Sequence, residues 1–345
     1  MKREQKASRI VEPQAASSDL GSFESTLRPQ KLSEYIGQSK IKGHLLVHIE
    51  AAKSREEPLG HTLLHGPPGL GKTTLAHIIA REMGTNVRIT SGPVLEKPGD
   101  LASMLTNLQE GEVLFIDEVH RLRPIVEEML YSAMEDYALD LVIGKGPTAR
   151  SMRLKLKPFT LIAATTKSGS MSAPLRDRFI HTFKLGFYDV PEMHQIVTRS
   201  AGILSVRLNE KASYRIATAS RATPRIANRL IRSVRDYAQV QKKEEIDLAC
   251  VNGTLQLLDI DEEGLDATDR LILATIIENF NGGPVGLGTI AAMLAEEEGT
   301  IEDVYEPFLL QQGYLDRTSK GRVVTKKAYE KLGKEQPRGV QESLL

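Results

Sequence analysis

The sequence predicts an α/β protein built on a mostly parallel sheet, followed by a helical domain and a small winged-helix domain. Three observations predict it. Short apolar runs alternate with helical patterns up to about residue 188. Strand patterns then stop until near the C-terminus. There, two short strands return around Ser319-Lys320-Gly321, after three helical segments. The 345 residues suit two or three domains of about 150 residues each. Lys+Arg and Asp+Glu both total 45, so net charge argues for no polyanionic partner, although it can conceal segregated charge. The single cysteine, Cys250, excludes a disulfide framework and a four-cysteine zinc site. It reads as a buried small residue in a reducing, cytoplasmic compartment. No apolar run approaches the roughly 18 residues of a membrane span, and Met1-Lys2-Arg3-Glu4-Gln5 lacks the apolar stretch of a signal peptide.

Residues 1–26 are polar and read as a flexible arm. Ile41, Leu45, Ile49 and Ala52 recur at helical spacing, which predicts an amphipathic helix over 39–54. His61-Thr62-Leu63-Leu64-His65 reads as a strand, followed by a glycine-rich turn and a helix from Lys72. Residues 86–90, 113–116 and 160–164 read as further strands, apolar enough for burial on both faces. Residues 139–156 break the rhythm: two alternating runs flank Gly144-Lys145-Gly146-Pro147, the pattern of an inserted β-hairpin. Beyond it, 191–258 reads as a helical bundle, and helices at about 267–280, 286–295 and 300–311 precede the two C-terminal strands.

Gly66-Pro67-Pro68-Gly69-Leu70-Gly71-Lys72-Thr73 fits G-x-x-x-x-G-K-[ST] in full, between a predicted strand and a predicted helix. Glycines let backbone N–H groups close around phosphate oxygens, and the helix N-terminus adds partial positive charge. Lys72 is placed to reach the β- and γ-phosphates of a nucleotide, and the Thr73 hydroxyl to ligate Mg²⁺. The strand Val113-Leu114-Phe115-Ile116 delivers Asp117 and Glu118 at its C-terminal end. Asp117 can hold Mg²⁺ through water, and Glu118 can polarise an attacking water, which points to hydrolysis. Thr165-Thr166 ends the next strand, where a hydroxyl can sit between carboxylates and phosphate. Arg176 and Arg178 follow, either as guanidinium groups for a transferring phosphoryl or as two surface arginines. Thr223-Pro224 opens a helix on which Arg225, Arg229 and Arg232 share a face, contacting phosphate or simply solvated. His44 and His48 have zinc-compatible spacing but lack the glutamate of H-E-x-x-H, so no metal is assigned to them.

Taken together, these residues resemble the AAA+ ATPases and, within them, the RuvB family of Holliday-junction branch-migration motors. The resemblance runs from about Leu27 to about Leu332. Besides the blocks above it rests on Arg28-Pro29, Thr90-Ser91-Gly92-Pro93, Glu135-Asp136-Tyr137, Pro174-Leu175-Arg176-Asp177-Arg178-Phe179, Gly282-Gly283-Pro284-Val285-Gly286-Leu287 and Thr300-Ile301-Glu302-Asp303-Val304. The last two lie outside the ATPase core and make it specific. It implies a P-loop AAA+ domain over 27–188 carrying the hairpin 139–156, a helical lid over 189–260 and a winged-helix DNA-binding head over 261–345.

The resemblance also implies roles. ATP and Mg²⁺ would be the cofactors, with Gly69, Gly71, Lys72, Thr73 and Thr74 forming the cradle. Leu27, Arg28, Glu135, Asp136, Tyr137 and Tyr188 would lie beside nucleotide, Thr166 and Arg225 would sense its state, and Arg178 would act on ATP of a neighbouring subunit. The assembly would be a hexameric ring on duplex DNA serving recombination and repair, with RuvA docking on the hairpin and RuvC as a further associate. The head would hold DNA phosphates through Arg317 and Arg322, which flank the wing turn within a basic stretch ending at Arg338. Glu298 is acidic where the family commonly has a base, Ile180 stands where glycine often does, and Lys320 replaces an arginine. Two other readings remain at this point: a clamp-loader or initiator ATPase, and a DNA-binding regulator switched by ATP.

Overall fold

A computed structural model describes residues 26–143 and 150–336. The expected arm, apart from Thr26, the hairpin turn and the tail with Arg338 lie outside the described residues. The chain divides into two compact units: Arg28–Phe187, and Leu27 together with the chain from Tyr188 onward.

The first unit is built on five parallel strands: β1 (Thr62–His65), β2 (Val87–Ser91), β3 (Val113–Asp117), β6 (Thr160–Thr165) and β7 (His181–Lys184), in the order β2-β3-β6-β1-β7. Four were expected. β7 was not, because His181-Thr182-Phe183-Lys184 is short, half polar and sits at an edge, with only Phe183 buried. β6 is buried along its whole length. It lies between β1 and β3, with Ile162 opposite Thr62 and Phe115. The turns leaving β1, β3 and β6 therefore emerge side by side at one end of the sheet, where parallel sheets bind ligands.

Helices cover the sheet: α1 (Ser39–Ser54), α2 (Lys72–Glu82), α3 (Pro98–Thr106), α4 (Pro124–Glu135) and the short α5 (Ala173–Arg176). α1 spans the expected residues and buries Ile41, Leu45, Ile49 and Ala52. Val126, Leu130 and Ala133 of α4 pack into a core with Leu101, Leu114, Ile116 and Leu161. Each aliphatic side chain so buried contributes about 1.5–3 kcal/mol. His61 pins the far end of α4 to the sheet. Its Nδ1 accepts the Leu161 N–H at 2.9 Å, so its Nε2 carries the proton and donates to Met134 O at 3.1 Å. Burial lowers its pKa and keeps it neutral. The inserted hairpin is present, as β4 (Ala138–Ile143) paired antiparallel with β5 (Arg150–Lys155) in a separate two-stranded sheet.

The second unit begins with four helices, α6 (Val190–Ile203), α7 (Glu210–Ala219), α8 (Pro224–Val240) and α9 (Leu248–Leu257). Asp189, Asn209 and Asp247 cap α6, α7 and α9 by accepting N–H groups of the first turn. α10 (Ala267–Phe280) and α11 (Leu287–Leu294) follow, then the wing strands β8 (Leu315–Thr318) and β9 (Gly321–Val324). The helix expected over 300–311 is interrupted by a π turn at Ile301–Tyr305 before Glu306–Gln311. Pro307 has no N–H to give the carbonyl four residues back, which removes an α-type bond there. Val285 forms an isolated antiparallel bridge with Arg322, beside the two-stranded wing.

The residues expected to form the lid and the head fall in one compact unit. A buried ion pair joins them. Arg221, just before α8, places Nη1 2.5 Å from Asp269 Oδ2 on α10, with the two side chains 4 % and 0 % exposed. The Arg221 guanidinium also lies 4.3 Å over the Phe308 ring.

Candidate active site

The turn after β1 is shaped by glycines where other residues would not fit. Gly66 has φ 142°, and a Cβ there would collide with the Leu185 carbonyl. Gly71 has φ 99°, and a Cβ there would stand 2.8 Å from the Tyr35 hydroxyl, which donates to Leu70 O at 3.2 Å. This turn feeds the N-terminus of α2. Lys72 is only 7 % exposed, and its ammonium donates to Gly66 O at 2.7 Å and Pro67 O at 2.9 Å. The cation is thus held inside the loop, close to the α2 N–H groups, and the site attracts anions. Thr73 and Thr74, in the same first turn, are half-buried.

Beside it, β3 ends at Asp117 and the chain turns sharply. Glu118 has φ 48° and ψ 47°, the left-handed region that costs a non-glycine residue of order 1–3 kcal/mol. Asp117 Oδ1 accepts the Glu118 N–H at 3.0 Å, and Gly92 packs so closely on the Glu118 carbonyl that a Cβ would collide with it. The Glu118 Oε2 accepts from Thr166 Oγ1 at 3.3 Å and lies 3.2 Å from His120 Nδ1. That nitrogen is also 2.8 Å from Thr165 Oγ1. The structure thus brings Gly69, Gly71, Lys72, Thr73, Thr74, Asp117, Glu118 and Thr166 to one end of the sheet. Thr165, named from sequence only as part of the strand end, belongs there too, as does His120, which was not singled out. Only the spacing Asp117-Glu118-Val119-His120 hints that a tight turn folds His120 back.

Arg178 stands at the opposite end, just before β7 begins. Its Nη2 lies 3.1 Å from Glu135 Oε1, its Nη1 donates to Pro174 O at 2.7 Å, and its guanidinium sits 4.3 Å over the Tyr131 ring. Asp136 pairs with Arg153 of the hairpin at 2.5 Å. Tyr137 packs edge-on against Phe159 and His61, the residues that precede β6 and β1. Arg178 and Glu135-Asp136-Tyr137 therefore form a second cluster, on the edge where strands enter the sheet, whereas the phosphate loop lies where they leave it.

Arg28 belongs to the first unit; burial and then the charges of Arg28 and Arg81 lower the pKa of His77. Leu27, Tyr188 and Arg225 belong to the second. Leu27 is buried and its carbonyl accepts from Arg199 at 2.8 Å. Tyr188 is buried and its N–H donates to Ala222 O at 3.1 Å. Arg225 is half-buried in the first turn of α8. Cys250 is buried, the His48 ring lies 4.0 Å from that of His181 at a tilt of 34°, and Ile180 and Glu298 are exposed.

On the wing, Arg317 and Arg322 are cross-strand partners, but they do not project alike. Arg317 is 56 % exposed, with long contacts to Glu302 at 3.7 Å and Glu306 at 4.0 Å. Arg322 is 11 % exposed and grips Glu306 with two hydrogen bonds, at 3.2 and 2.9 Å. Arg317 is thus exposed on the wing, while Arg322 holds the wing to the helix behind it. Arg322→Ala, by stranding the 3 % exposed Glu306 carboxylate, is expected to cost about 3 kcal/mol of stability. Arg317→Ala is expected to cost less than about 1 kcal/mol. Urea unfolding of the two variants checks this, and equal losses would contradict it.

Comparison with known proteins agrees with this geometry along the chain. Family models match for the Holliday junction DNA helicase RuvB P-loop domain over residues 27–185, the RuvB AAA lid domain over 188–261 and the RuvB C-terminal winged helix domain over 262–333. The structure of the Thermotoga maritima RuvB Holliday junction branch migration motor is 52% identical, with a TM-score of 0.83 over 90% of this chain and 100% of that one. A single-substitution variant of that protein, also 52% identical, has a TM-score of 0.85 over 90% of this chain and 99% of its own. With its phosphate loop, lid and wing each matched in order, the chain belongs to the RuvB family of AAA+ ATPases.

Proposed function

We propose that this protein is an ATP-hydrolysing DNA motor that drives branch migration of Holliday junctions. The observation that carries the reading is the pairing of Lys72 and Glu118 at one end of a sheet whose other end presents Arg178. As a RuvB-family protein it binds nucleotide and DNA. Lys72 and the backbone of Gly69 and Gly71 hold the β- and γ-phosphates. Thr73 and Asp117 offer oxygen donors alone, a set suited to a hard cation, so these two would hold Mg²⁺. The ion supplies neutralisation of phosphate charge. Glu118 takes the proton of the attacking water, and Thr166 steadies its carboxylate. Thr74 extends the cradle, and Leu27, Arg28, Tyr188 and the second sensor Arg225 are assigned to nucleotide binding by the family resemblance.

Because Arg178 and Glu135-Asp136-Tyr137 lie at the entering edge of their own sheet, they serve the nucleotide of an adjacent subunit in a hexameric ring around duplex DNA. Subunit mixing tests this. Arg178→Ala, which keeps its phosphate loop, is mixed with Lys72→Ala, which keeps its arginine. Interfaces joining the intact loop to the intact arginine should recover part of the turnover. Mixed rings with no recovery would place Arg178 in its own subunit's reaction or in none.

Arg317 tracks DNA phosphates, the hairpin 139–156 docks RuvA, and RuvC joins the complex, which works in the cytoplasm. No described helix is long and apolar enough to cross a membrane. The deciding experiment is ATP-dependent migration of a synthetic four-way junction, with and without RuvA. A protein that hydrolyses ATP yet never moves the junction would favour another AAA+ role.

A further inference from the structure

We propose that His120 is a positioning residue for ATP hydrolysis: its Nδ1–H, braced by Thr165, anchors one oxygen of Glu118 and presents the other to the attacking water. This rests on the reading of Glu118 as the group that takes the water's proton.

The geometry decides which ring nitrogen carries hydrogen. His120 Nδ1 faces a carboxylate, Glu118 Oε2 at 3.2 Å, and a hydroxyl, Thr165 Oγ1 at 2.8 Å, which can accept or donate. An ionised carboxylate can only accept. A bare Nδ1 could accept from the Thr165 hydroxyl but would set its lone pair against the carboxylate, whereas a protonated Nδ1 can share its hydrogen between the two oxygens. Thr165 Oγ1 also accepts the Lys167 N–H at 2.9 Å, and a hydroxyl oxygen has two lone pairs for these two donors. The imidazole is thus held by an oxygen that is itself fixed to the backbone.

The carboxylate needs such a support. Glu118 sits on a left-handed backbone turn, and the side-chain contacts it receives from His120 and Thr166 both fall on Oε2. Anchoring Oε2 orients the carboxylate plane and leaves Oε1 to accept from water. The His120 side chain is 12 % exposed and that of Glu118 is 34 % exposed, so the clamp lies behind the carboxylate and the carboxylate lies at the opening. Both arms of the clamp arise at the end of β6: Thr165 holds His120, and Thr166 holds Glu118 directly. A small shift of this strand end is therefore felt at the base through two contacts.

The test uses the full-length protein with duplex DNA and ATP. His120→Ala is expected to lower kcat about 10- to 100-fold, the cost of a misplaced reacting group, with affinity for ATP within about twofold of wild type. His120→Asn keeps an N–H donor near the Nδ1 position and is expected to restore most of kcat. His120→Gln fills the space but carries its donor farther out, and is expected to stay low. Glu118→Gln is measured alongside. If Glu118→Gln turns over normally, the reading of the base fails, whatever His120 does. If Glu118→Gln is inactive while His120→Ala keeps wild-type kcat, the positioning role is overturned. Equal activity of His120→Asn and His120→Gln overturns it as well, and this pair decides the matter should His120→Ala not fold. A raised KM with unchanged kcat would assign His120 to nucleotide binding and also overturn the proposal.

Discussion

Glu118→Gln is expected to bind ATP as wild type does and to hydrolyse it about 10²- to 10⁴-fold more slowly, the range for loss of a positioned general base. The two properties separate because they reside on different elements. Binding depends on the turn after β1, where Lys72 is already held by the carbonyls of Gly66 and Pro67. In the proposed mechanism, proton removal depends on the carboxylate after β3. Glutamine preserves the shape and can still accept from Thr166 and His120, so the left-handed turn at Glu118 and the packing of Gly92 against it remain. Equilibrium nucleotide binding and steady-state phosphate release check this together. Normal release would exclude Glu118 as the base.

Asp269→Ala is expected to destabilise the second unit by about 3–5 kcal/mol, the usual cost of stranding one member of a buried ion pair. Arg221 cannot shed its proton, and without Asp269 its guanidinium keeps the Asp266 carboxylate at 3.8 Å and a weak bond to Val304 O at 3.4 Å. Arg221→Met is expected to cost less, because the stranded group is then a carboxyl that can become neutral. Burial pushes Asp269 up to about 7, and Arg221 only partly opposes it. The sign of the pH dependence follows. A carboxyl whose folded pKa exceeds its ordinary 3.8 contributes stability that is fully present below about 3.8 and lost as pH rises through about 7. The stability of wild type relative to Asp269→Asn should therefore fall across pH 4–7 and level off above. Paired denaturation curves read this directly, and a rising difference would contradict the assignment.

Much of the fold is legible in the sequence because its signals are local. The stripe Ile41, Leu45, Ile49 and Ala52 marks α1, and a full phosphate-loop motif between strand and helix marks the nucleotide site. What escapes are features made by distant partners. β7 is a strand because β1 offers it an edge; its own four residues carry no clear alternation. The hold of Arg322 on Glu306 spans the wing, so a turn-flanking arginine looks free to reach DNA until the helix behind it is seen. His120 and Thr165 are ordinary polar residues in sequence, and only the adjacency of β3 and β6 makes them neighbours. Likewise, the spacing of Glu135 and Arg178 does not reveal that they share an ion pair away from the phosphate loop.

The separation of those two clusters bears on symmetry. A subunit that carries its phosphate loop where strands leave the sheet and its arginine where they enter has unlike ends. A twofold axis places identical surfaces together, arginine on arginine, and leaves both loops unserved. On the proposed role of Arg178, only a heterologous contact, loop of one copy to arginine of the next, completes a site, and repetition of such a contact closes into a ring or runs on as a filament. Each copy then both supplies and receives one arginine, so an open assembly always has one incomplete site at its terminus, and closure removes it.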